Sequence, residues 1–334
     1  MTEDYHKSAA MPSLCRFRSK TKIAWLFRNR TFFKINIQNQ EISMSDLTRR
    51  DWSKLALGSI AAAALPFETF AAQKPNSKVK GVQLGAQSYS FRDRSLDEAI
   101  KAYTDTGLSC CELWSGHLEP KGLDRAGIRT WRLTTPLSFF TLAGEKFKKA
   151  GIDLYALNYS FKDDFTDEEI KRGFEMTKAI GAKCITASAN VNTAKRIDVY
   201  AKQYKIRVGM HNHSNIRPNE FATAEDFAKA MEGNSEYICI NLDIGHFTAA
   251  GFDAVDYLKK HHDRIVTLHI KDRKKNQGDN VVFGQGDTPI KEVLTTLQKG
   301  GWKIPANIEY EYKGADTVAE VKACYDYCRK ALGA

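Results

Sequence analysis

From Val82 onward the chain alternates short apolar runs with longer amphipathic ones. The apolar runs predict eight strands, at 82–90, 107–114, 152–158, 183–190, 206–213, 236–243, 264–271 and 305–311. Between them lie stretches such as SLDEAIKAYTDTG, TDEEIKRGFEMTKAIGA, TAEDFAKAMEG and DTPIKEVLTTLQKGG. Each carries Ser, Thr or Asp near its start and Gly after its end, the punctuation of crossover helices. Strand alternating with helix implies a parallel sheet, and eight such units in about 260 residues imply an α/β fold, a single closed (β/α)8 TIM barrel. A doubly wound open sheet is the competing architecture, but no Gly-x-Gly-x-x-Gly follows the first strand. Polar groups also recur at nearly every strand end, which closure around one axis explains. Two connections, 115–137 and 272–288, exceed the minimal unit and read as long loops at the mouth. The second is rich in Gly, Asp and Asn and reads as a mobile cover.

The first 73 residues break this pattern. Arg49 and Arg50 precede a short apolar core from Leu55 to Leu65 and small residues at Ala71 and Ala72, so the barrel is expected to be preceded by an export signal of twin-arginine type over 44–73, cleaved near Ala72. The apolar core is about half the roughly 20 residues that a membrane span needs, which argues against a stable anchor. Met44 stands where such a signal begins. Residues 1–43 are basic and aperiodic and read as an upstream extension, non-native or disordered. The expected location is periplasmic, or otherwise exported.

Charge changes meaning once the leader is set apart. The whole chain carries 50 Lys+Arg against 40 Asp+Glu, net +10. The leader holds 11 basic and 6 acidic residues, so the remainder is nearer +5, with its basic residues scattered and free of interleaved aromatics. No nucleic-acid partner is expected. Six cysteines lie beyond the leader. Cys110, Cys184 and Cys239 sit in apolar runs, Cys111 is next to Cys110, and Cys324 and Cys328 share one helix face. All read as structural thiols.

The strand ends carry the chemistry. They read RVGMHNH, with His211 and His213; YICINLDIGH, with Asp243 and His246; IVTLHIKD, with His269 and Lys271; and ANIEYEY, with Glu309 and Glu311. Alternation puts Asn241 with Asp243, Thr267 with His269 and Lys271, and Asn307 with Glu309 and Glu311 on inward faces. Asp-x-x-His after strand six, His-x-Lys after strand seven and Glu-x-Glu after strand eight resemble the sugar phosphate isomerase/epimerase family, the xylose isomerase-like barrels, from about residue 80 to the C-terminus. The resemblance implies that Asp243, His269 and Glu309 ligate a divalent metal, with His246 beside it contacting substrate. The family's remaining ligand is a glutamate after strand five. Here that place reads His211-Asn212-His213, so the fourth ligand is expected to be His211, with His213 as its alternative.

A mixed nitrogen and oxygen set suits Mn²⁺ first, with Co²⁺, Zn²⁺ or Fe²⁺ also compatible, and argues against Ca²⁺. Such an ion favours proton removal next to a carbonyl through an enediolate. Glu309 is the expected proton carrier, with His246, Lys271 and the loop residue His117 as further catalytic candidates. Lys271 and Glu311 are equally readable as a plain ion pair, and His117 as a solvated loop residue. Glu112 points into the barrel, where a charge needs a partner, and is expected to meet sugar or an arginine. Trp114 and Tyr89 form a platform for a sugar ring if they are not plain core. Asn158, Asn190, His213 and Glu311 are candidates for hydroxyl groups. His261 and His262 have no expected role.

The expected function is an exported, metal-dependent carbohydrate isomerase or epimerase. A lyase or hydratase on 3-keto-sugars or 3-keto-glycosides is its alternative, since one of the two expected acids is replaced. A non-catalytic sugar-binding module is a further reading. A multi-metal endonuclease at abasic DNA is disfavoured by the small ligand set and the charge balance. The sequence leaves oligomer formation open.

Overall fold

The computed structural model describes residues 74–334, together with a two-residue antiparallel ladder pairing Asn36–Ile37 with Gln40–Glu41. The expected upstream extension and the expected twin-arginine signal otherwise lie outside the described residues.

Eight parallel strands follow one another around a ring: β1 (Val82–Gln87), β2 (Cys110–Trp114), β3 (Asp153–Asn158), β4 (Cys184–Ala187), β5 (Arg207–His211), β6 (Ile238–Asp243), β7 (Ile265–Ile270) and β8 (Ala306–Ile308). Each pairs with its sequence neighbour, and β8 closes on β1 with Asn307 opposite Gly85. The expected TIM barrel is therefore the observed fold. The strands are shorter than the apolar runs, because the chain turns as soon as it leaves the barrel rim. Residues 88–91 form a single 3₁₀ turn where extended chain was expected through 90, and a second such turn over 191–193 follows the fourth strand.

The helices begin and end as their sequences dictate. Helix α1 (Leu96–Thr106) starts on a capping box between Ser95 and Glu98 and stops at Gly107, whose φ of 83° is left-handed. After β2 the chain departs from expectation. The segment 115–137 contains a helix, α2 (Arg125–Thr134), capped by Asp124 and followed directly by α3 (Leu137–Ala150). Around the rest of the ring run α4 (Asp167–Ile180), α5 (Ala194–Tyr204), α6 (Ala224–Met231), the short α7 (Ile244–Ala249), α8 (Ala254–His261), α9 (Ile290–Gly300) and α10 (Thr317–Ala331). Their apolar faces bury Phe140, Phe147, Phe174, Phe227, Leu258, Leu294 and Val321 against the outside of the strands.

The interior is layered. A small apolar floor of Ala156, Cys184, Cys239 and Val266 fills the base. Above it comes a polar layer of Glu112, Thr186, Asn241, Thr267 and Asn307, all fully buried. The six cysteines beyond the leader are free and buried, as expected. The loop 272–288 is tied down: the Asp272 carboxylate accepts from the backbone N–H groups of Gly284, Gly286 and Thr288 at 2.7, 2.9 and 3.3 Å. Among the described residues no helix is long and apolar enough to cross a membrane.

Candidate metal centre

Strand register brings the polar ends to one height. His269 lies opposite Asp243 across β6 and β7 and opposite Asn307 across β7 and β8, while His211 lies opposite Asn241. Glu309 follows directly on β8, its N–H donating to the carbonyl of Ile270. One ligand atom each from His211, Asp243, His269 and Glu309 falls within 4.8 Å of all the others, and all four residues are buried. The group expected from the sequence, with His211 as its fourth member, is thus assembled.

Asp243 has two separate tasks. It ends β6 and caps α7, Oδ1 accepting from the His246 N–H at 2.7 Å, so the turn presents His246. Oδ2 is buried without a hydrogen bond. The nearest cation, the Lys271 ammonium, is 3.1 Å from Oδ2, 2.8 Å from Glu309 Oε2 and 2.7 Å from Glu311 Oε2. A positive charge therefore already stands at the two carboxylates. The coordination test is met in kind: two imidazoles and two carboxylates, one carboxylate oxygen with an ion pair to Lys271 but no hydrogen bond, and a span only slightly wider than a shell of about 2.1 Å metal–ligand distances requires.

The electrostatics are those of a crowded buried site. Burial works against an imidazolium at His269, but Glu112 and Glu309 outweigh it and hold its pKa well above the ordinary 6.5. Burial pushes His211 well below that value, and the neighbouring His269 and His213 reinforce the shift. Burial also lowers His246, with Lys271 next in effect. Burial alone would raise the Glu309 carboxyl; Lys271 and His269 reverse this and hold it well below the usual range. Lys271 is raised despite burial, because Asp243, Glu309 and Glu311 surround it.

Above the ligands opens a cavity of about 200 Å³ lined by Gln87, Tyr89, Trp114, Asn158, Ser160, Ser188, His213, His246 and Glu311, with His211, His269 and Glu309 in its base. Tyr89 and Trp114 meet edge to face, ring centroids 5.1 Å apart, and form its apolar side. His246 sits between two cations, Nε2 being 3.0 Å from Lys271 Nζ and Nδ1 2.6 Å from Arg273 Nη1. Arg273 also donates to Ser214 Oγ at 2.9 Å. The sequence reading did not single out Arg273, because only the folded loop returns it to this corner. Gln87, Ser160 and Ser188 were missed too, although each follows or ends a strand, the one signal available.

Three residues sit elsewhere than expected. Glu112 is below the cavity, fully buried, and its partners are Thr186, His269 and Asn307 in place of a sugar or an arginine. On β2 it stands two residues before Trp114, which lines the cavity while Glu112 does not. His117 is outside the cavity. Its ring is taken up locally, Nδ1 with Ser88 Oγ at 2.9 Å and Nε2 with the Phe91 carbonyl at 3.2 Å. Asn190 bridges loops, its amide donating to the Asn219 carbonyl. The Lys271–Glu311 ion pair is present.

Among curated relatives, an inosose dehydratase of Mesomycoplasma hyopneumoniae is 26% identical over 154 residues, 40% of this chain and 50% of that protein. An L-ribulose-5-phosphate 3-epimerase of Escherichia coli is 29% identical over 100 residues, 30% of this chain and 35% of the other. The chain spans half or less of these two proteins. Among solved structures, the IolI protein with a bound zinc atom superposes with a TM-score of 0.59 at 17% identity, covering 75% of this chain and 98% of its own, a likeness of fold. A family model described as the xylose isomerase-like TIM barrel matches residues 78–329. With eight parallel strands closed in sequence order and that match over three quarters of its length, the chain belongs to the xylose isomerase-like TIM barrel family.

Proposed function

We propose that this chain is a divalent-metal-dependent carbohydrate isomerase or epimerase that moves a proton on the carbon next to a carbonyl. The observation that carries the reading is the buried quartet His211, Asp243, His269 and Glu309, gathered within 4.8 Å at the base of a polar cavity. These four would hold the ion, with Mn²⁺ as the first choice. When bound, it supplies Lewis acidity toward a substrate carbonyl or hydroxyl oxygen.

The chain's own groups do the rest. Glu309 borders the cavity and is the proton carrier. Lys271, fixed by three carboxylates, stabilises negative charge developing on a substrate oxygen. His246, kept neutral by burial and held at its two ring nitrogens by Lys271 and Arg273, lines the cavity and contacts substrate by its ring. Trp114 and Tyr89 support the sugar face, while Asn158, His213 and Glu311 read its hydroxyl groups. His117 is not part of this set. Export by the twin-arginine route belongs to the same proposal and favours unphosphorylated substrates.

One observation favours a second outcome. Strand β5 ends in two imidazoles where a second acid would serve a two-base inversion, so a single base can instead drive elimination from a 3-keto-sugar or 3-keto-glycoside. That a dehydratase and an epimerase both stand among the relatives supports keeping the two outcomes together. The test is incubation of Mn²⁺-loaded protein with free and 3-keto sugars in D₂O, followed by proton NMR. Metal-dependent deuterium uptake next to the carbonyl with an epimer or isomer marks the first outcome; metal-dependent loss of that proton with expulsion of the neighbouring leaving group, giving an unsaturated ketone, marks the second. Uptake that ignores added or removed metal contradicts both, and metal-free protein that binds sugar without exchange indicates a binding module.

A further inference from the structure

Glu112 is a carboxylate buried inside the barrel that the proposed chemistry leaves unused. It is fully buried and accepts from three donors: Thr186 Oγ1 at 2.6 Å from Oε1, Asn307 Nδ2 at 3.2 Å from Oε2, and His269 Nε2, shared at 2.9 Å from both oxygens and also 3.1 Å from Asn241 Nδ2. Its partners are braced in turn. Asn158 donates to Thr186 Oγ1 at 3.2 Å, and Asn307 donates also to Thr267 Oγ1 at 2.8 Å. The carboxylate therefore has little freedom to leave the imidazole.

The contact crosses the barrel. Strand β7 pairs with β6 and β8, and β2 with β1 and β3, so Glu112 reaches His269 through the lumen and not along a sheet edge. The other nitrogen of the same ring, Nδ1, points at the ligand group, 3.0 Å from Glu309 Oε2 and 3.9 Å from Asp243 Oδ2. An imidazole that gives one nitrogen to a metal keeps its proton on the other, and whatever accepts that proton sets the ring's orientation and donor strength.

We propose that Glu112 is a positioning residue for the metal centre: by accepting the Nε2–H of His269 it fixes the tautomer in which Nδ1 presents its lone pair to the ion. The inference rests on the metal reading of the quartet and adds to it which nitrogen binds. A purely structural buried ion pair is the competing account, and an apolar residue of similar volume would serve that purpose as well or better.

The experiment compares the parent with Glu112→Gln, which keeps the side chain's shape and one acceptor oxygen but removes the charge. Thermal unfolding of the metal-free proteins is recorded first, then Co²⁺ titrations followed by the visible d–d bands. The expected result is a lowered melting point of the metal-free variant, since Glu112 helps to hold His269 charged there, together with what a merely structural pair would not produce: a Co²⁺ dissociation constant weakened by about 10- to 100-fold and altered band positions. Equal affinity with unchanged bands overturns the proposal. Should Glu112→Gln fail to fold, ¹⁵N-histidine NMR of the Zn²⁺-loaded parent decides, with His269 identified by its loss in His269→Gln: metal at Nδ1 and a proton at Nε2 support the role, and the reverse tautomer refutes it. A parent that binds no ion overturns the metal reading itself, a result distinct from a parent and variant that bind alike.

Discussion

Asp243 Oδ2 is the most exposed point of the account, since this buried oxygen makes no hydrogen bond. Asp243→Asn preserves volume but replaces the needed charge, and metal-dependent turnover is expected to fall by about 100-fold or more, measured as kcat/KM at saturating Mn²⁺. His269 supplies a pH test. Its folded pKa lies above 6.5, so near neutral pH the metal-free ring carries both protons and must lose the one on Nδ1 to bind an ion. Calorimetry in two buffers of different ionisation enthalpy should therefore show proton release of about one per ion, with affinity rising as pH rises to the folded pKa of His269. Absence of release contradicts the coordination. In the metal-free protein the same shift adds stability that is full below pH 6.5 and is lost as pH rises through the folded value. At this scale much was legible: strand-end spacing gathered the acids and imidazoles, the family resemblance singled out the quartet among them, and alternation put Asn241, Thr267 and Asn307 on the same inward faces. Glu112 and His117 were misplaced because their partners come from remote strands or from a neighbouring turn, which spacing does not encode.

Elements hold these side chains at one height, and two substitutions test how. A Cβ at Gly85 would lie 2.3 Å from Asn307 Oδ1 and 2.7 Å from the Cys110 carbonyl, inside the closing β8–β1–β2 segment. Gly85→Ala should destabilise the barrel by about 1–3 kcal/mol in denaturant unfolding; an unchanged midpoint would mean the strands separate easily there. Asp272 gathers three backbone N–H groups of the 272–288 loop, which in turn carries Arg273 to His246. Asp272→Ala is expected to speed tryptic cleavage at Lys274 and Lys275 several-fold, whereas equal rates would show that the loop is held by other contacts. The loop was expected to be a mobile cover; its composition showed irregularity but not that Asp272, with Asp287 accepting from the Lys275 N–H at 2.8 Å, fastens it. Helix α2 was likewise hidden. None of its residues is fully buried, and Pro120, Gly122 and Pro136 around it read as loop, although Asp124 in capping position was a usable signal.

For the molecule as a whole, barrel closure was readable from the strand count and from polar residues at nearly every strand end, because alternating strands and helices have few ways to bury both faces of a sheet. Export remains the proposal for the leader, which lies outside the described residues, and on that proposal N-terminal sequencing of protein recovered from the producing cell's exterior compartment should begin just after Ala72. A chain retained with its leader inside the cell would remove the reason to favour unphosphorylated sugars. Four separate strand ends converge on one proposed ion, so binding should stabilise the entire barrel, by about 2.7 kcal/mol at a hundredfold excess over the dissociation constant. The most direct measurement is equilibrium dialysis of the parent and of His269→Ala against Mn²⁺, with metal read by elemental analysis. The account predicts one tightly held ion per parent chain and almost none in the variant; a parent without metal, or a variant that retains it, contradicts it.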